Sequence, residues 1–166
     1  ETEIYGSFMD AVARLGLQVE HPSVGDRLKL GGAVITVLGP EYITDAPNDN
    51  SIVLKISYGD CSFLLPGDAE AAEEEWMVSS GADLSADVLV VGHHGSRTST
   101  SRAFINAVSP EHAIISCGKG NPYGNPEAGV LVLIKKVGAD LFRTDRQGDI
   151  IAHTDGREIT WNVEPC

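Results

Sequence analysis

The segment "DVLVVGHHGS", from Asp87 to Ser96, constrains the fold more than any other part of the sequence. Its apolar run is short and is bounded by polar and glycine residues, which predicts a buried strand. Two adjacent histidines, His93 and His94, follow this strand, although the chain of 166 residues contains only five histidines. The segment therefore predicts a strand whose end carries two imidazole side chains.

The remaining sequence predicts one domain of mixed α and β structure over residues 1–166. Helical spacing and helix-end signals predict helices in "YGSFMDAVARLG", "AEAAEEEWMVSSG", "SRAFINAVS" and "NPEAGVLVLIKKVG". In the second of these, the acidic first half suits the helix dipole, and in the fourth Asn125 is the expected N-cap. Strand patterns and turn glycines predict strands in "DRLKL", "AVITVLGP", "SIVLKISY", "CSFLL", "AIISC", "DLFRT", "DIIAHT" and "EITWNV".

Candidate chemical groups lie where predicted strands end. Asp68 ends "FLLPGD", and His93 and His94 end "VLVVGHH". If both strands belong to one sheet, a carboxylate and imidazoles converge on one edge, and such a mixed donor set suits zinc, manganese or iron. Asn50 begins another strand and could reach the same edge as a contact for the substrate.

Each motif also has a purely structural interpretation. Asp68 could be only a helix N-cap, and the two histidines could form a turn whose imidazoles bond backbone carbonyls. The run "TSTS", residues 98–101, could cap the helix that follows, and "GNPYGNP" could be two turns. Taken one by one, the motifs leave these alternatives open.

The composition limits the partners of the chain. The formal net charge of −12 is spread along the sequence, which disfavours broad electrostatic attachment to nucleic acid or anionic lipid. Bound divalent ions can reverse the local charge of a site, so a phosphodiester substrate is not excluded. The apolar runs are shorter than the roughly 20 residues of a membrane helix, so the chain itself is expected to be soluble.

The order of the motifs carries more information than any single motif. The succession is "NDNSIVL", "FLLPGD", "ADVLVVGHHGSRTSTS", "AIISCG" with "NPYGNP", and "RTDRQGDI". It resembles the metallo-β-lactamase-like domain at the C-terminal end of ComEC-type DNA-uptake competence proteins, from about Asp26 to Trp161. The resemblance implies an α/β (α+β) fold, the four-layer αββα sandwich, with a metal centre at the edge between its two sheets.

The resemblance also assigns roles to the candidate residues. Asp68 matches the carboxylate that bridges two divalent ions, zinc or manganese. His93 and His94 match the position that supplies a late histidine ligand, and which of them binds metal stays open. Two such ions lower the pKa of a shared water and clamp a phosphodiester, which is the chemistry of hydrolysis.

Further residues would support this site. Asn50 falls where many relatives in the wider superfamily carry a histidine ligand, and Ser96 and Thr98 would line the pocket. Asp145 would either form a hydrogen bond that supports a metal ligand or cap a turn. Asn125 stands in "YGNP" where relatives read Tyr-Gly-His-Pro, so the acid-base function of that histidine is lost.

One diagnostic motif of the family, His-x-(His/Asp)-x-Asp-His, does not occur in the sequence, in which His21 is the only histidine before residue 90. We therefore expect the chain to be the C-terminal portion of the domain, with two or three metal ligands at most, and to be inactive alone. The sheet of such a portion would need cover from the N-terminal half or from a second copy of the chain.

The leading hypothesis is a metal-dependent phosphodiesterase or nuclease domain that acts on DNA, single-stranded in particular, during uptake. The parent would be a bacterial cell-membrane protein with this domain on the extracellular side. One alternative is a free-standing hydrolase of small phosphodiesters or esters. Another is a non-catalytic module that kept the fold and lost its metal site.

Overall fold

Seven strands form one mixed sheet in the computed structural model, which describes residues 2–166. In chain order, which is also their order in the sheet, they are β1 (Arg27–Leu30), β2 (Ala33–Gly39), β3 (Val53–Tyr58), β4 (Cys61–Leu65), β5 (Val88–Val90), β6 (His112–Ile115) and β7 (Asp140–Arg143). Neighbours from β1 to β4 are antiparallel, and neighbours from β4 to β7 are parallel. The segments that follow the parallel strands therefore share one edge of the sheet.

Helices cover one face of this sheet and connect its parallel strands. They are α2 (Ala71–Ser80), α3 (Arg102–Val108) and α4 (Ala128–Val137). Met77, Phe104 and Ile134 from these helices pack in one buried cluster with Leu64 and Leu89 from the sheet. The sheet and this helical layer confirm the expected mixed α and β fold class.

The opposite face of the sheet is apolar and only partly covered. Cross-strand pairing places Ile56 beside Phe63, and Val90 beside Ile114, on this face. All four side chains are half-buried, whereas side chains on the helical face such as Leu64 are fully buried. A second, two-stranded sheet of β8 (Ala152–Thr154) and β9 (Ile159–Trp161) covers one end, where Trp161 stacks on Phe142 at a centroid distance of 4.2 Å.

The first helix, α1 (Glu3–Arg14), has no buried residue. Thr2 caps it, because its hydroxyl accepts a hydrogen bond from the Tyr5 N–H at 3.2 Å. Its apolar side chains remain exposed, with 82% of Ile4 and 57% of Phe8 accessible to solvent. The amphipathic pattern that the sequence shows is therefore present, but no residue of α1 is fully buried and only Ala11 and Val12 are half-buried. No helix in these described residues has the length and hydropathy needed to cross a bilayer.

Two expectations about helix starts are wrong. Helix α4 begins at Ala128 rather than after Asn125, because the backbone N–H and carbonyl of Asn125 are both bonded to the Asn121 side chain. Helix α2 begins at Ala71, with Glu70 at the N-cap position, so Asp68 is not the cap. The acidic first half of α2 also does more than complement the dipole, because Glu73 and Glu74 are buried.

A short helix, α5 (Thr144–Gln147), follows β7 at the shared edge of the sheet. The sequence pattern did not predict it. Thr144 joins this helix to the end of β6, because its hydroxyl accepts from the Cys117 N–H and donates to the Cys117 carbonyl, each at 2.9 Å. The edge at which the parallel strands end is thus held together by side chains as well as by the sheet.

Candidate functional site

The loop after β4 presents Asp68 at the shared edge. Gly67 has φ +61°, and a Cβ there would lie 3.1 Å from the Cβ of Ser51, so both conformation and space favour glycine. The Asp68 N–H donates to the Ser51 hydroxyl at 3.0 Å. No hydrogen bond from residues 2–166 engages the half-buried Asp68 carboxylate, which leaves its oxygens available to a ligand.

The histidine pair lies in the tight segment Gly92–Gly95 after β5. His93 and His94 both adopt left-handed conformations, with φ of 48° and 56°. Each costs about 1–3 kcal/mol for a residue other than glycine and is typically found where surrounding contacts fix a functional geometry. The His93 N–H donates to the Gly67 carbonyl at 3.0 Å, so the loops that carry Asp68 and the histidines are bonded to each other.

Both imidazoles are oriented through their Nδ1 atoms. Nδ1 of His94 lies 2.7 Å from the Ser116 carbonyl. Nδ1 of His93 lies 3.3 Å from Oε1 of Glu70 and 3.3 Å from the Thr98 hydroxyl. Within residues 2–166 no hydrogen bond engages either Nε2 atom. A histidine whose Nδ1 is held by a carbonyl or carboxylate while Nε2 stays free has the arrangement of a metal ligand.

Glu70 is the centre of this network, and sequence reasoning missed it. Its Oε1 accepts from Asn48 Nδ2 at 2.9 Å and from the Thr98 hydroxyl at 3.0 Å, and it also faces His93. The Asn48 hydrogen bond, followed by those from Thr98 and His93, lowers the pKa of Glu70 below its ordinary value. Glu70 is therefore ionised near neutral pH and favours the proton of His93 on Nδ1.

The "NDNS" motif, residues 48–51, supports the Asp68 loop rather than lining the pocket. Its first, second and fourth residues bond to that loop: Asn48 to the Glu70 side chain, the Asp49 carboxylate to the Glu70 N–H at 3.0 Å, and Ser51 to Asp68. Asn50 instead closes its own loop by bonds to the N–H and carbonyl of Thr44, at 2.8 and 2.9 Å. The structure thus does not bring Asn50 to the site as a substrate contact.

Ser96 and Thr98 line the same pocket as Asp68 and the histidines, which is the position that the resemblance implies for them. Their hydroxyls are 3.1 Å apart, and Thr98 connects them to Glu70. Ser101, the last residue of "TSTS", caps α3 by accepting from the Phe104 N–H, so the capping interpretation of that residue is confirmed.

Asn125 lines the pocket, with Nδ2 at 3.5 Å from the His93 carbonyl. Asp145 does not line it, although it follows a strand that ends at the same edge. Its carboxylate forms a two-pronged ion pair with Arg143, at 2.9 and 2.7 Å, which lowers the pKa of Asp145. Within residues 2–166, the Asp145 carboxylate forms no hydrogen bond with either histidine, so it does not support the site directly.

An open pocket of about 690 Å³ brings these groups together. Its lining residues are Asp68, Glu70, His93, His94, Ser96, Arg97, Thr98, Tyr123, Asn125 and Glu127. Exposed Arg97 is the one Lys or Arg among these lining residues, so a cationic group stands beside three carboxylates. The pocket can therefore contact an anionic ligand only if Arg97, or a bound cation, offsets the carboxylates.

The donors of the pocket fit a divalent metal in kind and fall short in number. Imidazole Nε2 atoms and a free carboxylate are ligands of zinc and manganese. Yet no group of three or more His, Cys, Asp or Glu side chains converges on one point in the described part of the chain. A structural or catalytic zinc site needs three or four ligands from protein. Residues 2–166 thus do not complete such a site by themselves.

Glu74 connects α2 to the segment that follows the two histidines. It is fully buried, and its two carboxylate oxygens accept from the backbone N–H groups of Thr100 and Ser101, at 2.5 and 2.7 Å. Burial raises the pKa of Glu74 above its ordinary value. Glu70, Glu73, Glu74 and Met77 follow helical spacing, which is the signal in the sequence that could have marked these glutamates as inward-facing.

Comparison with known proteins agrees with this architecture. A family model described as the metallo-beta-lactamase superfamily matches residues 2–119. The chain therefore belongs to the metallo-beta-lactamase superfamily. Among solved structures, the CmlA beta-hydroxylase E377D mutant shares the fold, with a TM-score of 0.55 and 16% identity over 81% of this chain and 34% of that chain.

The curated relatives include competence proteins, in line with the resemblance noted in the sequence. ComE operon protein 3 of Bacillus subtilis (strain 168) is 37% identical over 158 residues, 95% of this chain and 20% of that protein. Competence protein ComA of Neisseria gonorrhoeae is 43% identical over 102 residues, 61% of this chain and 15% of that protein. Recombination protein 2 of Haemophilus influenzae is 37% identical over 72% of this chain and 15% of its own length. The chain spans a fifth or less of the length of these relatives.

Proposed function

We propose that this chain is part of a metal-dependent phosphodiesterase domain that cleaves DNA, single-stranded in particular, during competence-related uptake. Membership of the superfamily and similarity to competence proteins support the class of protein.

One observation carries this proposal. The uncommitted Nε2 atoms of His93 and His94 and the uncommitted carboxylate of Asp68 surround the same pocket. In each imidazole an acceptor holds Nδ1, so the free nitrogen is the unprotonated one, as a metal ligand requires. In a purely structural role, the two consecutive left-handed conformations of His93 and His94 would cost free energy without a functional gain.

The chain's own residues have distinct tasks in this proposal. Asp68 and at least one histidine would ligate divalent ions, zinc or manganese. When bound, a pair of such ions neutralises the charge of a phosphodiester and activates water. Glu70 and the Ser116 carbonyl orient the histidines, Thr98 joins His93 to Glu70, and Arg97 provides positive charge beside the substrate.

The remaining donors would come from polypeptide outside residues 2–166. The donor count within residues 2–166 is too low for a complete site, and the curated relatives are about five times longer than the aligned segment or more. We propose that the N-terminal half of the sandwich, with its histidine-rich motif, supplies them. The longer protein would be anchored in the bacterial cell membrane with this domain on the extracellular side.

A second candidate is a non-catalytic module, which Asn125 favours. This residue lines the pocket beside the histidines, but an amide cannot transfer a proton at neutral pH as an imidazole can. In that case the pocket would bind a nucleic acid without hydrolysing it.

The test is cleavage of a labelled single-stranded oligonucleotide by the longer protein that contains this chain, with and without chelator. We expect cleavage that requires zinc or manganese and that falls at least about 100-fold in a His93→Ala, His94→Ala double variant. His153→Ala is the matched control, because His153 is exposed on β8 away from the pocket. Unchanged cleavage in the double variant would contradict the proposal. Cleavage of bis-p-nitrophenyl phosphate but not of DNA would favour a hydrolase of small phosphodiesters. Inactivity towards both substrates in the presence of added zinc or manganese would favour the non-catalytic module.

A further inference from the structure

A second pocket, of about 270 Å³, adjoins the candidate site at the end of β6. It is lined by His94, Ser116, Cys117, Gly118, Asn121, Tyr123 and Asn125. His94, Tyr123 and Asn125 line both pockets, so the two are continuous at these side chains. This volume lies just below the usual range for small-molecule sites, about 300–1,000 Å³, and so fits one ring system rather than a large ligand.

The second pocket differs in charge from the first. Within residues 2–166 none of its lining residues is Asp, Glu, Lys or Arg. Burial, then the neighbouring Asp145, raises the pKa of the Cys117 thiol, so this wall of the pocket is neutral at physiological pH. A neutral pocket with amide, hydroxyl and aromatic groups suits an uncharged planar ring and not a phosphate.

Tyr123 stands at the boundary of the two pockets and exposes 81% of its surface. Its loop is nevertheless fixed, because the Asn121 side chain bonds to four backbone groups. Asn121 Oδ1 accepts from the N–H groups of Tyr123 and Asn125, at 3.2 and 3.1 Å. Asn121 Nδ2 donates to the carbonyls of Gly118 and Asn125, at 3.0 and 2.6 Å. An exposed aromatic ring on a preorganised loop loses little entropy when a flat ligand stacks on it.

The net charge of the chain indicates why base stacking on Tyr123 would be needed for affinity to a nucleic acid. A formal charge of −12 repels a polyanion, so extensive backbone contacts cannot provide the affinity for a nucleic acid. Base stacking on aromatic side chains does not depend on charge and tolerates any sequence. Tyr123 is the one Phe, Tyr or Trp among the residues that line the candidate site.

We propose that the second pocket is a nucleobase subsite in which Tyr123 stacks on one base of a single-stranded nucleic acid. The phosphodiester next to that base then lies over Asp68, His93 and His94, beside Arg97. This inference rests on the proposed function, because it assigns the substrate class of the same site. It adds a contact that selects unpaired bases, since a base within a duplex cannot enter the pocket.

Binding of a thymidine tetranucleotide and of a matched abasic tetramer by the full chain tests the proposal. Chemical shifts of backbone amides measure both dissociation constants, without metal and without cleavage. We expect the tetranucleotide to bind more tightly and to shift residues 118–125. Tyr123→Ala should weaken its binding about 5- to 150-fold, to the level of the abasic tetramer, whereas Tyr123→Phe should keep most of the affinity.

Tyr42→Ala is the matched control, because Tyr42 is 67% exposed and lines neither pocket. Equal affinity of the wild-type chain for both tetramers, including undetectable binding of both at millimolar concentration, would overturn the subsite. An equal loss in Tyr42→Ala and Tyr123→Ala would do the same. Base-dependent binding by this chain, with no cleavage by the longer protein, would leave the subsite standing and contradict the proposed hydrolysis.

Discussion

At the scale of single residues, the candidate site depends on how each imidazole is held. The neutral form of histidine can carry its proton on either nitrogen, and only the form protonated on Nδ1 leaves Nε2 free for a ligand. Glu70 favours that form in His93, and the Ser116 carbonyl favours it in His94. Glu70 and the Ser116 carbonyl, neither of which is proposed to ligate the metal, thus decide whether the histidines can act.

Replacement of Glu70 by glutamine should change the tautomer of His93. Without the negative charge, the hydrogen bond to Nδ1 weakens, so the fraction of His93 protonated on Nε2 should increase and zinc affinity should fall about 10- to 100-fold. Long-range nitrogen–proton NMR spectra of the imidazoles at pH 8 measure the tautomers. Glu75→Gln, on the exposed side of α2, is the control. An unchanged His93 spectrum in Glu70→Gln would show that Glu70 does not position the ring.

Glu73 should make stability depend on pH. It is buried, its Oε1 has no hydrogen-bond partner in residues 2–166, and burial raises its pKa. The folded chain therefore binds this proton more tightly than the unfolded chain, so the contribution of Glu73 to stability is lost as pH rises through the raised pKa. Glu73→Gln should stabilise the chain at pH 7.5 by on the order of 1 kcal/mol. Urea unfolding should show this gain shrinking to nothing below pH 4, and a gain that is constant with pH would contradict the assignment.

Much of the residue-level picture is visible in the sequence, and its gaps have a physical cause. Asp68, His93 and His94 follow strands, so parallel pairing alone brings them to one edge. Glu70 and Glu74 lie in the acidic segment "AEAAEEE", where a solvated helix face is the ordinary interpretation. Their roles depend on Asn48, Thr98 and the backbone of Thr100, which are distant in sequence, and no local pattern encodes those contacts.

At the scale of elements, the pocket is built from loops that bind one another. The Asp68 loop bonds to the histidine segment through the Gly67 carbonyl, and the histidine segment bonds to the start of α4 through Gly95 and Glu127 at 2.9 Å. Gly95 also packs closely, since a Cβ there would lie 2.7 Å from that of Pro126. The predicted strands were enough to place the Asp68 and histidine loops at strand ends, but the starts of α2 and α4 were not predicted correctly. At α4, the side chain of Asn121 bonds to the backbone of Asn125, the residue that was expected to be the N-cap.

Glu74→Ala should destabilise the chain strongly. It would leave the N–H groups of buried Thr100 and half-buried Ser101 without partners, at a cost of up to about 1–3 kcal/mol each. We expect the free energy of unfolding in urea to fall by about 2–5 kcal/mol and the amides of residues 96–101 to exchange faster. Exposed Glu75→Ala should change stability by less than about 0.5 kcal/mol. Equal effects of the two variants would show that Glu74 is not an anchor.

At the scale of the whole molecule, one apolar sheet face is only partly covered and one amphipathic helix, α1, has no buried residue within residues 2–166. Half-buried Ile56, Phe63 and Ile114 lie on the open face, and α1 exposes Ile4 and Phe8. Exposed apolar patches of this kind mark surfaces that associate. The sequence resemblance predicts the open sheet face, because the αββα sandwich places a second sheet against the first. It made no prediction about the exposure of α1.

The isolated chain should therefore associate through this face. Sedimentation velocity should show a weight-average mass that rises with concentration, and Ile56→Lys should reduce this rise because it places a charge in the middle of the face. Val132→Lys, on the exposed side of α4, should leave association unchanged. A chain that stays monomeric at all concentrations and does not bind a hydrophobic dye would contradict the prediction.

In the proposed function, this chain supplies metal ligands to a hydrolase site that polypeptide outside residues 2–166 completes. The most direct test is elemental mass spectrometry of the longer protein that contains this chain, beside its Asp68→Ala variant and a control, Asp60→Ala, in an exposed turn. We expect about two equivalents of zinc or manganese in the wild type and the control, and less than one in Asp68→Ala. Absence of metal from the wild type, or full metal content in Asp68→Ala, would contradict it.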